Sequence, residues 1–176
     1  MITLTQIRLV NWHFFEDITI PIGNLSLFAG DNGSGKSTIV DAIQFVMASD
    51  LRKARFNSAA GDKRGGRDLA GYVRCKLGSE STEYLRGDAV AHVLLEFSTD
   101  AGNFTAGACV EAFRDSRTND HFWLAPGIPV DQVEIQTADG KPLVWRQFQD
   151  IINSRGATSY ESANAFRRDF TARLGV

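Results

Sequence analysis

The sequence predicts an α/β fold organised around a glycine-rich turn, with an antiparallel β-subdomain behind it. Three observations predict this. Leu25, Leu27, Phe28 and Ala29 form a short apolar run that reads as a strand leading into the turn at Gly30. Ile39, Val40, Ala42, Ile43, Val46 and Met47 then recur at helical spacing. Farther on, Ala89 to Phe97 (AVAHVLLEF) alternates and ends in a polar turn, which predicts a strand. With 176 residues, 43% of them hydrophobic, the chain is long enough for an ordinary domain and too apolar to be disordered.

Ile2, Leu4, Ile7, Leu9 and Val10 predict an opening strand. Ile18, Ile20 and Ile22 alternate with Thr19 and Pro21 and predict a second one, after which Gly23-Asn24 turns the chain toward Leu25. Between the two strands lies the cluster Asn11-Trp12-His13-Phe14-Phe15. Trp12, Phe14 and Phe15 read as a hydrophobic plug at a strand end, and His13 as a polar ring placed to sit beside whatever the glycine turn holds.

The turn itself is specific. Gly30, Asp31, Asn32, Gly33, Ser34, Gly35, Lys36 and Ser37 fit G-x-x-x-x-G-K-[ST], a Walker A or P-loop pattern, with Thr38 following. Its glycines let the backbone wrap so that successive N–H groups point inward as an anion nest. The helix starting near Lys36 adds unpaired amides and the partial positive charge of its N-terminus. A phosphate chain fits there, and ATP with Mg²⁺ is the expected ligand. Lys36 is placed for the β- and γ-phosphates, and Ser37 for the metal ion.

Leu51 to Cys75 carries seven basic residues (Arg52, Lys53, Arg55, Lys63, Arg64, Arg67, Arg74) against Asp62 and Asp68. This local balance of +5 sits in a chain of net charge −2. Its glycines predict a long loop suited to a solvated surface, to DNA phosphates or to an arginine acting on ATP. Glu96 is not expected to be a Walker B carboxylate, because Leu95 stands where that motif carries Asp. Phe104 to Phe113 and His121 to Leu124 predict further antiparallel strands, and Val130, Val133 and Ile135 another. His92 and His121 show no metal-ligand grouping, and Cys75 and Cys109 read as buried free thiols. Leu143, Phe148, Ile151 and Ile152 predict a short helix. Tyr160, Ala163, Phe166, Phe170 and Leu174 predict a second, capped by Ser159 or Ser162 and stopped at Gly175, with Arg167, Arg168 and Arg173 on a solvated face. The N-terminus lacks the basic and apolar parts of a signal peptide, and no run approaches ~20 apolar residues, so a cytoplasmic protein without membrane contact is expected.

The opening strand, Asn11-Trp12-His13-x-Phe15, and Gly30-x-Asn32-Gly33-Ser34-Gly35-Lys36-Ser37-Thr38-x-x-Asp41-Ala42-Ile43-x-Phe45-Val46 together resemble the N-terminal part of an SMC-type ATPase head, a group related to ABC ATPases. Arg67 to Arg74 (RDLAGYVR) resembles the branch of MukB, MksB and the JetC subunit of Wadjet plasmid-defence systems. The resemblance implies an ABC-ATPase head whose N-terminal lobe divides into 1–50 (strands, P-loop and first helix), 51–75 (basic loop), 76–140 (antiparallel β-subdomain) and 141–176 (helices toward a coiled-coil arm). It places His13 near the phosphates and one of Arg55, Arg64 and Arg67 in an arginine-containing loop. It further implies non-sequence-specific DNA, pairing of two ATP-bound heads, and kleisin and winged-helix subunits as partners. The Walker B Asp-Glu pair and the Ser-Gly-Gly signature do not occur in these 176 residues, so they are expected elsewhere in a longer parent, and this segment is expected to bind ATP without turning it over efficiently. RecF-, RecN- or overcoming-lysogenization-type ATPases remain an alternative, as does a P-loop kinase acting on a small molecule.

Overall fold

A computed structural model describes residues 1–49, 68–78 and 82–175. Strands β1 (Thr3–Trp12) and β2 (Phe15–Pro21) form a hairpin, and helices α1 (Lys36–Ala48) and α2 (Leu69–Val73) follow. A meander of β3 (Ala89–Thr99), β4 (Gly102–Ala112) and β5 (Thr118–Pro126) leads to a 3₁₀ turn at Val130–Gln132. Helix α3 (Trp145–Ser154), the two-residue β6 (Thr158–Ser159) and helix α4 (Ala163–Leu174) complete the order. The six strands make one sheet in the order β2-β1-β3-β4-β5-β6, with every pair antiparallel. The antiparallel sheet is therefore not confined to 76–140, because β1 and β2 are built into it through pairs such as Ile7↔Leu95 and Leu9↔Val93.

Both faces of the sheet are covered. Ile7, Leu9, Trp12, Val93, Leu95, Ala108 and Phe122 share one core with Phe45 and Val46 of α1, Tyr72 and Val73 of α2, and Phe166 and Phe170 of α4. Val10, Leu94, Trp123 and Ala125 meet Val130, Val133, Phe148 and Ile152 on the other. Residues 91–97 of β3 are buried without a break. The strand expected at AVAHVLLEF is present, and as a central strand covered on both faces it hides both alternating sets. Close packing shows at Gly107, where an added Cβ would lie 2.2 Å from the ring of Trp123.

No strand forms at Val130, Val133 and Ile135, although all three are buried. Side chains of the sheet hold that segment instead. Val130 N–H donates to Glu96 Oε2 at 3.0 Å, and Thr105 O–H donates to Ile128 O at 2.6 Å. Arg8 Nη1 donates to Val130 O and Val133 O, and His92 Nε2–H donates to Leu143 O at 2.8 Å. Side chains thus bond the main chain at Val130 and Val133, and at Ile135 the partner is Leu143 N–H, which donates to Ile135 O at 2.8 Å beside the single bridge Gln136↔Pro142.

Leu25 to Ala29 also forms no strand. The expectation fails because no strand among the described residues runs beside it, and Leu25 and Leu27 stand 95% and 88% exposed. The basic stretch is likewise not loop to its end. Asp68 caps α2 by accepting from Gly71 N–H at 2.6 Å. Arg74 is buried, donating to Gly87 O at 3.0 Å and lying 3.9 Å over the ring of Tyr84. In α4, Ser162 is the cap and Gly175 ends the helix at φ 68°. Arg167 does not stand on a solvated face as expected, since it donates to Ala48 O and Ser49 O at the C-terminus of α1. Cys75 and Cys109 are buried and form no disulfide. No helix among the described residues is long and apolar enough to cross a membrane.

His92 couples this packing to pH. Its imidazole is fully buried against Phe148, and burial pulls its pKa down to about 4. An unfolded-chain histidine titrates at about 6.5, so the unfolded state takes the proton first as the solution is acidified. The stability that neutral His92 contributes is therefore complete above the unfolded value and is lost as pH falls from there toward 4. Urea unfolding is expected to show a loss of about 2 kcal/mol from this residue between neutrality and about pH 5. A His92→Gln variant is expected to show a flatter dependence over that window.

Candidate functional site

The glycine turn is closed by Ser34 N–H donating to Asp31 O at 3.2 Å, and α1 begins with Ile39 N–H donating to Gly35 O at 3.0 Å. Gly35 occupies the N-cap position of α1 in a left-handed conformation, φ 97°, and carries no side chain to cap the helix. The amides of Lys36, Ser37 and Thr38 precede the first possible helical acceptor, so an anion is their natural partner. Gly30 and Gly33, at φ 154° and 86°, give the loop further positive-φ positions on either side of Asp31 and Asn32. Asp31, Asn32, Gly33, Ser34 and Ser37 are exposed, whereas Gly35 and Thr38 are buried. Lys36 Nζ donates to Gly30 O at 2.6 Å and to Asp31 O at 2.8 Å, with Ser34 Oγ at 3.4 Å. The ammonium thus lies across the loop, where the outer phosphates of a nucleotide would meet it.

The aromatic turn forms the neighbouring wall. Asn11 and His13 are left-handed at φ 51° and 52°, which sends Trp12 inward and Phe14 outward. Trp12 is fully buried, stacks on Tyr72 with ring centres 4.8 Å apart and donates its indole N–H to Thr38 O at 2.9 Å. His13 N–H donates to Tyr72 O at 2.8 Å, and Arg86 Nη1 donates to His13 O at 2.7 Å and Val73 O at 3.1 Å. Burial holds the pKa of Arg86 below its ordinary value. The Tyr72 O–H donates to Asp41 on α1, which ties the far side of the same cluster.

The structure brings the predicted residues Gly30 to Thr38 together as one cradle. His13 sits beside it but is buried, its ring packed edge-on to Phe14 and Tyr72. At Gly35 the cradle meets Phe14 and Phe15: an added Cβ would lie 2.8 Å from Phe14 and 2.7 Å from Phe15. Grouping Phe14 with the buried plug was therefore a misreading, since 41% of it is exposed. Asn11 was the available signal, because Asn tolerates the left-handed conformation that turns the strand alternation over. Arg55, Arg64 and Arg67 lie outside the described residues. Among the described residues, no group of three or more His, Cys, Asp or Glu side chains is arranged to hold a metal ion. The cradle nonetheless fits a magnesium-bound polyphosphate, because its donors are amides, an ammonium and the exposed Ser37 hydroxyl at the helix start.

Residues 4–63 match the family model described as the P-loop containing region of AAA domain. The chain is 44% identical over 62 residues to the chromosome partition protein Smc of Methanocaldococcus jannaschii, a match covering 32% of this chain and 5% of that protein. It is 41% identical over 44 residues to the OLD nuclease of Thermus scotoductus, covering 25% of this chain and 8% of that protein. These matches and the geometry establish an α/β P-loop NTPase fold, and the N-terminal likeness supports an SMC-like, ABC-type ATPase head. The chain spans a small fraction of the relatives it matches.

Gly35→Ala tests the cradle. Alanine at a left-handed position costs about 1–2 kcal/mol, and its methyl group would press on both phenylalanine rings. Calorimetric titration is expected to show nucleotide affinity falling by about tenfold or more.

Proposed function

We propose that this chain is the ATP-binding N-terminal lobe of an SMC-like ATPase head, of the MukB, MksB and JetC branch. Its parent protein, in this reading, couples ATP hydrolysis and the pairing of two heads to DNA binding, loop extrusion or plasmid restriction in the cytoplasm. The observation that supports a split head most directly is the open apolar surface beside the cradle. Leu25 and Leu27 stand almost fully exposed, and Val40 and Met47 of α1 are 39% and 41% exposed. A P-loop helix with one covered face and a partly open outer face, Val40, Gln44 and Met47, fits a lobe whose remaining sheet comes from another segment.

In this reading the amides from Gly33 to Thr38 fix the phosphates, and Lys36 leaves the loop carbonyls to neutralise the β- and γ-oxygens. Ser37 supplies a hydroxyl to Mg²⁺, which when bound offsets charge on the same oxygens. Asp41, the buried acid of the P-loop helix, is engaged with the Tyr72 O–H, and this reading takes the hydrolytic carboxylate and the signature segment from outside the chain. Kleisin and winged-helix subunits, and DNA held through its backbone, complete the proposed assembly.

The likeness to the OLD nuclease favours one second reading, an ATPase of the overcoming-lysogenization type. Metal-dependent DNA cleavage by the full-length protein would select it, and head pairing driven by ATP without cleavage would select the first. Under either reading Lys36→Ala is expected to abolish ATP binding, and under the first to abolish head pairing as well. Unchanged ATP affinity by calorimetry would overturn both. Charge reversal at Arg64 and Arg67 is expected to lower DNA-stimulated ATPase activity, and an unaltered response to DNA would remove these arginines from the DNA contact.

A further inference from the structure

We infer that a cavity on the sheet face opposite α1 binds a small zwitterion with an apolar side chain, the chemistry of a free aliphatic or aromatic α-amino acid. The inference stands apart from the nucleotide-binding reading above. The cavity measures about 400 Å³ and lies between the end of the sheet at Asn11 and the segment 141–144 that leads into α3. Val90, Phe113, Pro142 and Val144 form apolar walls. Val90 lies four residues before Leu94 on β3 and so shares the face turned away from the nucleotide helix. A concave apolar surface of this size with a few convergent polar groups is the usual form of a small-molecule site.

Charges of both signs line the cavity without pairing with one another. Arg86 is half-buried and uses only Nη1, which donates to His13 O and Val73 O. Its Nε and Nη2 donate to none of the described residues, and Glu16 acts on it only through its field. That open edge of the guanidinium is the one a carboxylate takes through two parallel hydrogen bonds. Glu111 stands opposite Val90 in the β3–β4 register. Its basic neighbour His121 is 3.7 Å away, and burial lowers the pKa of that imidazole, so it is neutral near pH 7. Lys141 is held by Asp139 at 3.1 Å, and Asp88 accepts from Arg114 N–H at 2.8 Å. Arg86 and Glu111 are thus the unmatched charges of the lining, and a partly buried charge without a counter-charge is costly. A ligand carrying a carboxylate, an ammonium and an apolar side chain answers both charges and the walls together. A purely anionic or purely cationic ligand leaves one charge unmatched.

The test is calorimetric titration of the full-length protein at pH 7 with L-valine, L-leucine, L-methionine and L-phenylalanine. At least one is expected to bind with a Kd of about 1 mM or tighter. Its amide, which lacks the carboxylate, and its deaminated acid, which lacks the ammonium, are each expected to bind about tenfold more weakly or worse. Arg86→Lys keeps the charge without the fork, and Glu111→Gln removes the partner of the ammonium; each is expected to lose about tenfold. Because Arg86 also holds the aromatic turn, Val144→Trp supplies an independent reading. Val144 is 38% exposed, so an indole there fills the cavity from its rim and is expected to abolish binding with the thermal midpoint unchanged. Failure of all four amino acids to bind would overturn the inference. So would binding that survives Val144→Trp, or an amide and a deaminated acid that bind as tightly as the parent. None of these results bears on MgATP affinity, which is measured separately.

Discussion

The position of the phosphate loop depends on the indole of Trp12. Trp12 ends β1, stacks between Phe45 of α1 and Tyr72 of α2, and holds Thr38 O through its N–H. A buried indole needs an acceptor for that N–H, and here the acceptor is a carbonyl in the first turn of the P-loop helix. One side chain thereby fixes the sheet, the nucleotide helix and the segment after the basic stretch against one another. The Tyr72–Asp41 bond and the stacking of Tyr72 on Trp12 hold the same junction from α2.

The two ends of α1 are treated oppositely. At its N-terminus Gly35 provides no cap, leaving the positive end of the helix dipole for an anion. At its C-terminus Ser49 turns left-handed, φ 42°, and the guanidinium of Arg167 from α4 meets the negative end by donating to Ala48 O and Ser49 O. The helix is anchored where no ligand is expected and open where one is.

The elements with strong local signals were legible in the sequence. The P-loop motif, the apolar period of α1, the strands of the meander and the capped helix α4 all follow from spacing and turn chemistry. The departures arose where distant partners decide. Leu25 to Ala29 has the composition of a strand, but a strand exists only beside another, and the described residues supply none. Val130 to Ile135 is apolar enough for a strand, yet Arg8 and Glu96 supply main-chain partners at Val130 and Val133 from the sheet below. Arg74 and Arg167 read as surface charge because sequence shows the charge and not the carbonyls waiting for it. Within the site, Gly30 to Thr38 could be named residue by residue, whereas the outward turn of Phe14 depended on two backbone angles that no hydrophobic pattern records.

The pairing of β1 with β3 also bears on how freely the protein can vary in length. Between Trp12 and Ala89 lie β2, the nucleotide loop, α1, residues 50–67 and α2, all enclosed by that one long-range pairing. For a connection of this size, loop-closure entropy grows only with the logarithm of length, and even doubling it costs about 0.6 kcal/mol. Insertions or deletions between α1 and α2 therefore act weakly on the sheet, provided Tyr72 still reaches Trp12. The β3–β4 turn, which pairs Thr99 with Gly102 across two residues, has no such latitude.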